Sequence, residues 1–136
     1  MNTFKLIKAH LEFNGYEITK NHKNGDGFFA ASERYGPLSL NPIGESGSIG
    51  FRLEKWYPID INKHNQSQKK SLYTMVNDIN MTLIIGSSYL YKEGGLGMSV
   101  YHLGEYNKKG FSRLLEAFHF DSEKMFDFDL NSYWDK

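Results

Sequence analysis

Apolar positions along this chain follow two different periods, and the order of the two predicts its architecture. Leu72, Met75, Val76 and Ile79 fall at i, i+3, i+4 and i+7, the spacing that gathers side chains on one helix face. Phe111, Leu114, Leu115 and Phe118 repeat it. Between these helices, Leu83–Tyr91 and Leu96–Leu103 read as strands broken by Glu93-Gly94-Gly95, the pattern of a hairpin. Upstream, Phe4, Ile7 and Leu11 predict a first helix over Thr3–Asn14, which Gly15 closes. Strands are expected at Tyr16–Lys20, Phe28–Tyr35, Leu38–Leu40 and Ser48–Tyr57. Asn24-Gly25-Asp26-Gly27 marks a turn, Asn41–Gly47 a loop, and Pro58 a strand stop. The second helix is expected over Gln66–Asn80, with its cap supplied from Ile59–Asn65.

The predicted class is α+β. An antiparallel sheet carries three helices packed mainly on one face, in the order α-β-β-β(-β)-α-β-β-α. Residues 1–126 are expected to form a single domain. Residues 127–136 are expected to form an acidic, aromatic and poorly packed tail, with Tyr133-Trp134 as a hydrophobic handle.

The hairpin has a preferred register. A turn at Gly94-Gly95 sets Tyr91 opposite Met98, Tyr89 opposite Val100 and Ser87 opposite His102. Lys92, Leu90 and Ser88 then meet Gly97, Ser99 and Tyr101. This register collects the large apolar side chains on one face, and a one-residue slip mixes the faces. It predicts that Tyr89, Tyr91, Met98 and Val100 lie under the helices.

Composition narrows the chemistry. With no cysteine among 136 residues, disulfides and thiolate metal sites are excluded. Sixteen basic residues balance sixteen acidic ones, so a nucleic-acid partner, which needs many phosphate contacts, is not expected. The balance is uneven along the chain. Residues 1–70 carry ten Lys/Arg against seven Asp/Glu, and residues 71–136 carry six against nine. From Glu116 onward six acids face two lysines, which reads as a solvated end or as a surface for a basic partner. No run of about 18 apolar residues is present and no long apolar stretch follows the N-terminal lysine. No membrane partner and no signal peptide are therefore expected, and the cytoplasm is the default location. Aromatics make up 15% of the chain, more than a minimal core requires, so some are expected at a binding surface.

No motif specifies catalysis. His10, His22, His64, His102 and His119 never fall at ligand spacing, and ordinary structural histidines are expected. His119, between Glu116 and Glu123, is the least implausible metal ligand. Glu93-Gly94-Gly95-Leu96-Gly97 precedes a strand, whereas a phosphate cradle precedes a helix. Lys69-Lys70 and Lys108-Lys109 lie near helix N-termini, against the dipole. Arg52, Lys55, Trp56 and Tyr57 mix basic and aromatic groups as single-strand nucleic-acid platforms do, but a half-buried strand accounts for them equally well.

The assembled order resembles the bacterial YbjN-type proteins of the type III secretion chaperone-like fold. The likeness is clearest at Val76-Asn77-Asp78-Ile79-Asn80, at Leu83-Ile84-Ile85-Gly86, at the Gly94-Gly95 hairpin and at the helix Phe111–Phe118. The resemblance implies a non-enzymatic protein-binding domain, often a homodimer, with no catalytic residues to carry over. No metal and no cofactor are expected. The expected function is a chaperone-like or adaptor module. The alternative is a small inhibitor or immunity protein of phage or toxin-system origin, acting through an acidic and aromatic surface. Trp56, Tyr57, Tyr133, Trp134, Asp127 and Asp129 are the candidate partner-binding residues.

Overall fold

The computed structural model describes residues 3–22 and 27–133. The predicted turn at Asn24–Gly27 lies mostly outside them, and Trp134 lies wholly outside. The elements run α1 (Thr3–Phe13), β1 (Glu17–Asn21), β2 (Phe28–Ser32), β3 (Gly36–Ile43), β4 (Gly50–Asp60), α2 (Gln66–Thr82), β5 (Ser87–Leu90), β6 (Gly95–Leu103) and α3 (Lys108–Lys124). The six strands form one antiparallel sheet in the order β1-β2-β3-β4-β6-β5. The α+β class and the element order are those read from the sequence.

The chain divides into two compact units, Met1–Glu54 with Val100–Glu116, and Lys55–Ser99 with Ala117–Lys136. In the first, Phe4, Ile7 and Leu11 of α1 are buried together with Phe28, Leu40, Phe51, Leu53 and Val100 of the strands and Phe111, Leu114 and Leu115 of α3. Gly15, at φ +89°, closes α1 in the left-handed conformation that a Cβ disfavours. The Phe51 and Phe111 rings lie 5.7 Å apart, and His102 stacks on Phe51 at 4.7 Å.

In the second unit, Leu72 and Ile79 of α2, Phe118 of α3 and Met125 are buried with Tyr57, Ile59, Leu96 and Met98. Asn65 and Gln68 form a reciprocal capping box at the start of α2, each side chain accepting from the other's backbone N–H at 2.9 Å. The Asn80 side chain bonds both backbone groups of Ser88, accepting from its N–H at 2.6 Å and donating to its carbonyl at 2.9 Å.

Three sequence expectations are corrected. First, β4 does not stop at Pro58 but runs on to Asp60. The β3–β4 ladder ends at Ser39 opposite Glu54, so the missing proline N–H breaks no bond on that side. Second, residues 83–86 are not strand. Their amides are held by Asp121 of α3: Ile84 N–H donates to Oδ1 at 2.8 Å, and Ile85 and Gly86 donate to Oδ2 at 3.0 and 2.7 Å. Ile84 and Ile85 are consequently 62% and 47% exposed. Third, among the described residues of the predicted tail, Leu130 and Tyr133 are packed. Leu130 and Tyr133 are 2% and 8% exposed, and the His64 ring lies 5.3 Å from that of Tyr133.

Candidate functional site

The hairpin register decides which aromatics reach the surface. Ser87 faces Ser99, Ser88 faces Met98, Tyr89 faces Gly97 and Leu90 faces Leu96. The predicted pairing of Tyr91 with Met98 and Tyr89 with Val100 is therefore wrong by an odd number of residues, which exchanges the two faces. Loop length is the cause. Gly94 donates its N–H to the Tyr91 carbonyl at 2.8 Å and Tyr91 donates to the Gly95 carbonyl at 2.7 Å. Three residues, Lys92 to Gly94, thus make the loop, with Gly94 at φ +107°, as in three-residue hairpins closed by a left-handed glycine. Ile61 N–H, donating to the Gly94 carbonyl at 2.8 Å, anchors the loop to the end of β4.

Leu96 and Met98 keep their buried places, but Tyr89 and Tyr91 move to the opposite face. Their rings pack edge to face at 5.2 Å and lie against Gly97, where a Cβ would sit 2.9 Å from each. Trp56 of β4 joins them, its indole N–H donating to the Tyr91 hydroxyl at 2.7 Å. This face points away from α3, because the neighbouring Tyr57 points the other way and donates to the Ser122 carbonyl at 3.5 Å. The indole remains 44% exposed. Trp56, Tyr89 and Tyr91 form one aromatic cluster, in which the Trp56 indole and the Tyr91 hydroxyl are bonded to each other.

The five candidate partner-binding residues that lie among the described residues are not brought together. Trp56 is exposed. Tyr57 is 5% exposed, and burial pushes its phenol pKa up. Lys55, on the same side of the strand as Tyr57, has its ammonium pKa lowered by burial. Strand alternation therefore divides the residues that resembled a nucleic-acid platform, with Lys55 and Tyr57 on one side of β4 and Trp56 on the other. Tyr133 is buried. Asp127 and Asp129 are exposed. Lys124 pairs with Asp127 at 3.6 Å, and Asp129 accepts from the Ser132 hydroxyl at 2.5 Å. Tyr89 and Tyr91 were missed because the sequence register buried them. A tyrosine opposite a glycine across a strand pair is the signal that reveals them.

The histidines make local contacts. His22 lies 3.3 Å from the Ser39 hydroxyl, its pKa lowered by burial. His64 Nε2 lies 3.3 Å from the Tyr133 carbonyl and His102 Nε2 3.0 Å from that of Glu105. Among the described residues no three His, Asp or Glu side chains are grouped to hold a metal ion, and no helix is long and apolar enough to cross a membrane. No protein-family model, curated protein or solved structure matches the chain.

Gly97→Ala tests the aromatic surface. Both tyrosine rings must move by a few tenths of an ångström or more, at an expected cost of about 1–2 kcal/mol. The near-ultraviolet circular dichroism of the tyrosines should change while the far-ultraviolet spectrum stays constant. An unchanged near-ultraviolet spectrum would show that the rings do not rest on Gly97.

Proposed function

We propose that this chain is a cytoplasmic, non-enzymatic protein-binding module of chaperone-like or adaptor type. Trp56, Tyr89 and Tyr91 are its contact with a partner polypeptide. The observation that carries this reading is the half-open indole held in place by the Tyr91 hydroxyl. Tryptophan and tyrosine dominate the energetics of protein interfaces, and a pre-ordered ring cluster loses little side-chain entropy on binding. The YbjN-type resemblance points the same way and adds a homodimer as the working state.

A photo-crosslinking phenylalanine analogue at position 56 tests it in cells, with the same analogue at exposed Asp78 as control. One discrete polypeptide adduct is expected at position 56, lost when Tyr91→Ala is added. Sedimentation of the purified chain then shows whether the adduct partner is a second copy. A strict monomer with no adduct would end this reading. The inhibitor or immunity-protein reading draws on exposed Asp127 and Asp129. It is favoured instead if Asp127→Asn with Asp129→Asn abolishes the adduct while Tyr91→Ala spares it. Point variants are needed because deleting residues 127–136 would also remove buried Leu130 and Tyr133.

A further inference from the structure

We infer that a pocket in the first unit, between α1 and the start of α3, binds a small organic monoanion with an apolar body, such as a medium-chain carboxylate. The pocket has a volume of about 380 Å³, within the size range of small-molecule sites. Leu6, Ala9 and Phe13 of α1 give it an apolar side. His10, Ser112 and Lys108 give it a polar one.

The polar side is ordered. His10 Nδ1 lies 2.7 Å from the Tyr106 hydroxyl and His10 Nε2 lies 3.1 Å from Ser112 Oγ. Its ring also packs on Phe111 at 4.7 Å. Burial first, and the Lys108 charge second, lower the His10 pKa, so the imidazole is neutral near pH 7. Lys108 is then the one cation of the pocket lining, and the lining contains no acid. No hydrogen bond or ion pair engages the Lys108 side chain among the described residues. The positive end of the α3 dipole adds to its charge. An apolar cavity beside an unneutralised ammonium and a hydroxyl is complementary to a carboxylate with a hydrocarbon body. The array is not read as a nucleophilic serine, because a phenol in the third position supplies no negative charge to stabilise an imidazolium.

The pocket is independent of the aromatic surface of the second unit, so failure of either proposal leaves the other standing. The test titrates the full chain with octanoate, and with octanol as the uncharged control, following the His10 imidazole by NMR. Octanoate should bind saturably and raise the His10 pKa, because an anion beside Lys108 offsets that cation. Octanol should bind about tenfold more weakly. Lys108→Gln should remove that difference. Ala9→Leu, at an exposed position of α1 that lines the pocket, should block both probes without unfolding the chain. Equal affinity for octanoate and octanol, octanoate binding that survives Lys108→Gln unchanged, or no saturation by about 10 mM octanoate would each overturn the proposal.

Discussion

Replacing Asp121 by alanine is expected to cost about 3–5 kcal/mol, a large share of the stability of an ordinary domain. Its carboxylate is fully buried, and three consecutive backbone N–H groups converge on it. It also lies in the last turn of α3, where the helix dipole disfavours a negative charge. The three donors must therefore offset both desolvation and the dipole. Alanine leaves those N–H groups without their acceptor. Asparagine is expected to fare little better, because its amide group turns a donor toward a donor. Urea denaturation is the measurement, with Asp78→Asn, on an exposed residue without such contacts, expected to stay within about 0.5 kcal/mol of wild type. Hydrogen exchange at residues 84–86 should quicken in the Asp121 variants. Equal midpoints for Asp121→Ala and wild type would show that solvent can replace the carboxylate.

Gly50→Ala is expected to be as damaging for a different reason. A Cβ at this position would stand 2.0 Å from the His102 carbonyl oxygen and 3.0 Å from Leu103 Cα. These are backbone atoms of a neighbouring strand, so no rotamer change relieves the clash. The strands must separate where the core residue Phe51 follows, and a loss above about 3 kcal/mol or a failure to fold is expected. Gly104→Ala gives the comparison. Nothing lies within 4 Å of its Cβ, and its φ of +96° is the whole obstacle, worth about 1 kcal/mol. Thermal melts of the two variants should differ widely. Similar melting temperatures would mean that β4 and β6 yield at Gly50.

The fold was legible where one physical effect dominated. Phe4, Ile7 and Leu11, and later Phe111 to Phe118, had to be buried by helices of ordinary length, and period alone located them. Where two effects compete, the pattern misleads. Leu83, Ile84 and Ile85 are strong strand formers, but a carboxylate nearly forty residues away captures the amides of residues 84 and 85. The hairpin tyrosines prefer cover, but a three-residue loop sets the register, and the missing side chain of Gly97 gives them a resting place on the other face. The candidate site was half visible. Trp56 was singled out at a strand end, yet its partners depended on a register that hydrophobic matching placed wrongly. The acidic end read as an unpacked tail because three aspartates and a lysine in residues 127–136 hide the two buried anchors, Leu130 and Tyr133.

The bond pair between Asn80 and Ser88 bears on whether the sheet can be extended along β5. In β5, alternate residues turn their backbone groups outward, and those are Ser88 and Leu90. Asn80 occupies the outward groups of Ser88. A polypeptide arriving to extend the sheet along β5 finds Leu90 alone to pair with, too little to seed a growing ribbon. One amide side chain at the end of a helix thus acts as a terminator for polymerisation, and any dimer of this protein has reason to form elsewhere than along that rim.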